Sequence, residues 1–377
     1  MRNKILLLLV ILPCISLGRE LPQNRRGMWV VRDALKSKTQ IDNVINTAER
    51  LEITDLFIQV RALGQTYYDS GYESRAQSSD QSYDPLAYII ERSKNTSIRI
   101  HAWVNMFYIW SGNDPPAGLN HIFNKRSAYL LRRDTFPDYK TLRDQGYTGY
   151  FVDPKVAEIQ TDLLNILNEL AENYQIAGIH LDYFRYPGIE YSFTPASRTR
   201  YMLDEIYDPW LIYESPQAFS KRYGYEVFLN GDRAYRASLV ETLNQYLKNI
   251  SDSIKSIKPD IELSVAVKPD PVTAKHRYFQ DWITWLNNNL CDFAVIMNYR
   301  TDWNEFTGIL REIENRQLQT RVMVGISTYN QPPQAVLYRM QTVMASRFAG
   351  FSLFSYNHIS SNRIYFQKIF TAEFAGG

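Results

Sequence analysis

From about residue 27 onward, short apolar runs alternate with longer stretches in which apolar residues recur at three- and four-residue spacing. Runs that are apolar on both faces suit buried parallel strands, and the longer spacing is that of amphipathic helices packed against them. The strand candidates are residues 27–32, 55–61, 99–105, 177–183, 261–268, 292–299, 321–327 and 350–356, with helical patterns at 39–50, 154–173, 233–258, 278–290 and 334–345. Eight strands separated by helices predict an α/β fold, a closed (β/α)8 TIM barrel, in preference to an open doubly wound sheet. Two connections are long, 106–153 after the third strand and 184–232 after the fourth. Both leave from strand C-termini, the end at which barrel enzymes build their sites. Their tyrosines, tryptophans and prolines predict ordered groove walls, with rings such as Tyr186, Tyr191 and Trp210 presented to a ligand.

In a buried parallel strand, polar residues stand out against the apolar background. On the fourth strand His180 and Asp182 share one face, while Ile179 and Leu181 share the other, so His180 is placed to orient Asp182. Other strands end in polar groups on one face: Gln59 and Arg61, His101 and Asn105, Lys268 followed by Asp270, Tyr299, and Tyr356. Converging on one mouth, such a ring is costly to desolvate unless it binds something polar, and a hydroxyl-rich ligand fits. Arg32 and Asp292 are equally suited to barrel-closing ion pairs, and Glu262 falls at the N-terminal, stability end of its strand.

Composition sharpens the choice of chemistry. Residues 1–18 have the basic start, apolar run and small-residue exit of a secretory signal peptide, which leaves 19–377 as one barrel domain of an exported protein, periplasmic, cell-surface or secreted. Pro13 before Cys14 disfavours a lipid anchor there, and the apolar run is too short to favour a membrane span. With Cys14 removed only Cys291 remains, so stability must come from a core and not from a disulfide. A formal charge of +2 provides no basic field for nucleic acid. The five histidines (His101, His121, His180, His276, His358) form no HxH or HxxxH pair, so no metal site is expected. No glycine-rich phosphate fingerprint follows the first strand and no GxSxG elbow occurs, so no cofactor is expected and carboxylate catalysis remains. Aromatic residues make up 14% of the chain, with 27 Tyr and 7 Trp, which suits stacking on sugar faces as well as core packing.

The segments Arg26-Gly27-Met28-Trp29, Gln59-Val60-Arg61, His101-Ala102-Trp103-Val104-Asn105, Asp153-Pro154 and the block from Gly178 to Pro187 resemble the glycosyl-hydrolase-like family 10 barrels of bacterial exported or lipid-anchored proteins. The similarity runs from about Arg25 to beyond Tyr356. It implies a glycoside hydrolase fold, carries the acid onto Asp182, and adds Trp103, Arg185 and Tyr186 to the substrate-binding set. For substrate it implies amino-sugar polymers of the bacterial envelope, including peptidoglycan glycan stripped of peptide. Many members have two successive Asp in this block, whereas Tyr183 follows Asp182 here. A second carboxylate must then come from elsewhere, with Asp270 first and Asp302, Asp153 and Glu190 as rivals, or the substrate's own 2-acetamido group must attack, held by Asn105, Tyr299 or Asp270. A catalytically silent barrel that binds glycan through its aromatic groove is the alternative.

Overall fold

The computed structural model describes residues 21–78, 80–131 and 149–362; the predicted signal peptide lies outside them. Eight strands build the barrel: β1 (Arg25–Val30), β2 (Asp55–Ala62), β3 (Arg99–Asn105), β4 (Gly178–Asp182), β5 (Glu262–Val267), β6 (Phe293–Met297), β7 (Val322–Ser327) and β8 (Gly350–Phe354). Each pairs in parallel with its sequence neighbours, and β1 pairs with both β2 and β8, which closes the barrel. The observed strands match the predicted ones to within a few residues at either end.

The helices follow their apolar spacing. In α1 (Lys38–Arg50) Ile41, Val44, Ile45 and Ala48 form the buried stripe, and Ser37 caps the first turn by accepting from the Gln40 amide at 3.3 Å. The predicted helix at 233–258 is α2 (Tyr225–Ile257), which starts earlier. Asn230-Gly231-Asp232 carries turn residues yet lies inside the helix, and the glycine there leaves room for Tyr207, whose hydroxyl a Cβ would approach to 2.8 Å. The predicted helix at 278–290 is instead two short ones, Pro271–Tyr278 and Trp282–Asn287, separated at Phe279, whose φ of +59° ends the first.

Both long loops are ordered where described. After β3 the chain forms a small antiparallel sheet of Tyr108–Trp110, Tyr150–Val152 and Leu130–Leu131. After β4 it forms short helices, Pro195–Glu205, Trp210–Glu214 and Pro216–Tyr223, welded by ring contacts among Phe193, Tyr201, Tyr207, Trp210, Tyr213 and Tyr235.

The barrel axis is filled in layers. At the N-terminal end Asp55 receives Arg25 at 2.5 Å, Arg99 at 2.6 Å and His101 at 2.8 Å, and Glu262 joins through Arg25 at 2.9 Å. Despite burial, these partners hold the Asp55 carboxyl far below the usual carboxylate range. Asp55, His101 and Glu262 lie close enough to share a metal ion, but the two guanidiniums already compensate both carboxylates. Above this layer a separate apolar cluster includes Trp29, Phe57, Trp103, Phe293, Val295 and Met323. Gly325 makes room for it, since a Cβ there would stand 2.9 Å from the Trp29 ring.

Candidate active site

The C-terminal mouth of the barrel opens into a cavity of about 400 Å³. Asp182 is the only carboxylate lining it among the described residues. Tyr183 has a φ of +52°, and this left-handed turn directs its own backbone N–H onto Asp182 Oδ1 at 2.6 Å. Such a conformation costs a non-glycine residue about 1–3 kcal/mol and persists only where neighbours hold it. Here the Tyr183 ring stacks on Tyr108 at 4.7 Å and has the Arg185 guanidinium 4.4 Å from its centroid. Arg185 also stands 3.5 Å from Asp182 Oδ1. Oδ2 has no protein partner among the described residues, so it is the oxygen offered to a ligand.

Lys268, just past β5, is half-buried with its ammonium 5.0 Å from the Tyr278 ring. Burial, with Arg185 and Arg277 nearby, pushes its pKa down to about 8 against the opposing pull of Asp182. On the β1–β3 side, Gln59 accepts from the Arg32 backbone at 3.3 Å and its guanidinium at 3.1 Å, and its amide points at Asn105. Phe354 packs edge-on to Trp29 and Trp103 and stacks on Tyr299 at 5.6 Å, which gives an aromatic floor and wall. Burial and the Asp182 charge hold the Tyr299 hydroxyl well above its usual range, so it is a protonated donor.

Of the sequence-predicted site residues, the structure brings Gln59, Trp103, Asn105, Asp182, Arg185, Lys268 and Tyr299 to this cavity. It places the others elsewhere. His101 belongs to the basal ionic layer. His180 does not orient Asp182; its Nε2 accepts the Trp29 indole N–H at 3.1 Å, which leaves Nδ1 to carry the proton toward Ser264 Oγ at 2.8 Å. Burial holds His180 neutral, with a pKa well below 6.5. Arg61 is fully buried, pairs bidentately with Glu73 and donates to the Asn105 and Met106 carbonyls, so it braces the end of β3. Asp270 does not line the cavity: its carboxylate accepts the Thr273 amide at 2.6 Å and caps the following helix. Asp302 likewise caps Trp303–Asn315, and Asp153 is buried on Thr194 and Ser197. Tyr186 and Tyr191 are core side chains, Trp210 packs on Phe193, and Tyr356 is buried at the start of the last helix. The loop after β4 presents Tyr183 and Arg185 to the cavity in their place. Arg32 lines the cavity and makes no ion pair among the described residues, whereas Asp292 pairs with Lys255 at 2.8 Å.

Sequence reasoning passed over Trp29, Tyr108, Tyr183 and Phe354 as cavity residues. Trp29 and Phe354 carried the one available signal, large rings near the C-terminal ends of barrel strands, the end at which barrel sites are built.

Fold and cavity together are those of a (β/α)8 barrel with a polar, aromatic-lined cavity at its C-terminal mouth. The chain belongs to the glycosyl hydrolase-like 10 family, whose model matches residues 24–335. It is similar to glycosyl hydrolase YngK of Bacillus subtilis, 24% identical over 248 residues covering 63% of this chain and 42% of that protein. Glycosyl hydrolase DigH of Escherichia coli K12 is also 24% identical, over 71% of this chain and 59% of its own length. The chain thus spans about half the length of these curated relatives. Among solved structures, the PgaB (BpsB) glycoside hydrolase domain from Bordetella bronchiseptica superposes with a TM-score of 0.63 at 10% identity, over 92% of this chain and 98% of that one. Alpha-L-fucosidase isoenzyme 2 from Paenibacillus thiaminolyticus gives 0.63 at 12% identity, over 93% and 48%. Among the described residues no helix is long and apolar enough to cross a membrane.

Proposed function

We propose that this chain is an exported enzyme that hydrolyses glycosidic bonds in a bacterial envelope or other polysaccharide containing N-acetylhexosamine, with Asp182 as the general acid. The observation that carries the reading is the lone cavity carboxylate with one oxygen free, set among aromatic rings and hydrogen-bond donors. Asp270, Asp302 and Asp153 are engaged elsewhere and Glu190 does not line the cavity, so among the described residues no carboxylate besides Asp182 stands at the cavity wall. Substrate assistance fits this arrangement. Asp182 gives its proton to the leaving oxygen while the acetamido carbonyl oxygen attacks C1, and water then opens the cyclic oxazolinium, returning a proton to Asp182. Asn105 and Tyr299, both at the cavity, are the side chains to hold the acetamido group.

The test is Asp182→Asn assayed by mass spectrometry on N-acetylhexosamine oligosaccharides, with turnover expected to fall by ~10²- to 10⁴-fold while the fold is kept. Substrates with a free amine in place of N-acetyl should resist cleavage, and a thiazoline should inhibit. A glycosyl adduct trapped on a protein carboxylate would refute substrate assistance. Glycan binding with no product from wild-type protein would leave a silent binding barrel.

A further inference from the structure

Resting on the reading of Asp182 as the acid, we infer that Tyr108 and Tyr183 are positioning residues: their stacked rings form a clamp through which the small sheet after β3 fixes the turn that aims Asp182. Asp182 is steered by the backbone N–H of the next residue, which meets Oδ1 at 2.6 Å because Tyr183 takes a φ of +52°. Glycine enters that region freely, whereas a tyrosine stays there only if its surroundings hold it. The hold comes from the small sheet. Tyr183 and Tyr108 lie with 20° between their ring planes, and Phe151 meets Tyr183 at a steeper 60°, with centroids 5.9 Å apart. Tyr108 and Phe151 are themselves register partners in the sheet, their rings 5.2 Å apart. Gly149 lets the sheet close on the clamp: its φ is +90°, and a Cβ there would run into the Tyr108 ring and the Trp110 carbonyl. The same loop is tied down beside the acid, where the Met106 N–H donates to the Asp182 carbonyl at 2.8 Å. Arg185 links ring and acid in turn, its guanidinium near both the Tyr183 ring and Oδ1. Both tyrosines line the cavity, but the faces they turn to each other are closed to a ligand, so this contact serves the turn. With Oδ1 held in this way Oδ2 keeps one direction toward a bound glycosidic oxygen, and slackening the clamp misaims it.

The experiment uses the full chain and N-acetylhexosamine oligosaccharides. Tyr108→Ala should lower kcat about tenfold or more while KM stays within about twofold, and Tyr108→Phe, which keeps the stack, should hold kcat within about twofold of the wild type. Tyr183→Ala should fall as far as Tyr108→Ala. Tyr183→Gly, which needs no support for a positive φ, should keep at least about threefold more turnover than Tyr183→Ala. Adding Tyr108→Ala to Tyr183→Gly should lower kcat by no more than about twofold further, because the ring no longer has a turn to hold. A loss in KM alone would make Tyr108 a substrate contact and overturn the clamp, as would equal losses for the glycine and alanine variants or a full further loss in the double variant. A second readout does not depend on turnover. In protein labelled at tyrosine nitrogen the Tyr183 amide is the signal lost in Tyr183→Phe. Its hydrogen exchange should quicken about fivefold in Tyr108→Ala and not in Tyr108→Phe, with the Tyr246 amide of α2 unchanged as the mark of an intact fold. Unchanged exchange at Tyr183 in Tyr108→Ala would overturn the clamp. Wild-type protein that cleaves no glycan would count against the hydrolase reading and leave the clamp to the exchange result; full turnover in Tyr108→Ala would sink the clamp and leave that reading standing.

Discussion

Replacing His180 by glutamine tests the clamp beneath the cavity. The imidazole is fully buried, accepts the Trp29 N–H and faces the Ser264 hydroxyl, and burial keeps it neutral. As pH falls below 6.5 the unfolded chain gains a proton at this residue and the folded chain does not, so the folded state loses stability relative to the unfolded one. The contribution is fully present above 6.5 and amounts to a loss of about 1.4 kcal/mol between pH 7.5 and 5.5. His101, also held below its usual value, adds to the same slope in both proteins and cancels in the comparison. Glutamine can accept from Trp29 and donate to Ser264 but fits less well, so the variant should lose about 1–3 kcal/mol at pH 7.5. Its further loss on going to pH 5.5 should be smaller than that of the wild type by about 1.4 kcal/mol. Urea unfolding at the two pH values, with unchanged m, gives both numbers. Equal pH-dependent losses in the two proteins would mean that His180 titrates normally in the fold, and the assignment of its tautomer would fail with it.

Three further outcomes are expected. Asp55→Asn strips the compensating charge from Arg25 and Arg99 and should cost about 3–5 kcal/mol in urea unfolding without changing glycan affinity; a cost below 1 kcal/mol would deny the basal layer its role. The Lys268 cation at the cavity is present below about 8 and lost above it, so kcat/KM should fall as pH rises through that value, and Lys268→Arg should carry the activity to higher pH. Burial sets this value first, with Arg185 and Arg277 lowering it and Asp182 raising it, while the Tyr278 ring lies 5.0 Å from the ammonium; an unmoved limb in the arginine variant would assign it to another group. Tyr186→Phe should change stability by less than about 1.5 kcal/mol and leave glycan affinity unaltered, because the ring is core; a tenfold loss of affinity would return Tyr186 to the groove.

The barrel was legible because strands buried on both faces leave an uninterrupted apolar signature that little else in a chain imitates. Asp182 was legible for a related reason, a charged group at the C-terminal end of such a strand. The roles of its neighbours were harder to read because strand alternation tells which face a residue takes but not its depth along the axis. His101, His180 and Asp182 all point inward, yet they sit at the base, the middle and the mouth. Asp270 shows a signal that could have been used: Asp followed by Pro271 and then Thr273 is a helix start, and its carboxylate does cap one. The tyrosines of the loop after β4 carried no such mark, since a ring that stacks on sugar and a ring that packs on Phe193, as Tyr213 does, look alike in sequence.

Between the acidic and basic side chains at the base of the barrel and those at its mouth lies the plug of Trp29, Phe57, Phe293 and Met323. Charges on its two sides are insulated by packing, so the groups that hold the barrel closed and those that meet the ligand answer to different constraints. Lys268, Arg32 and Asn105 can therefore be exchanged one at a time for residues of other charge, and the mouth retuned to a different polymer, while the ions that fasten the staves at the far end go on holding them.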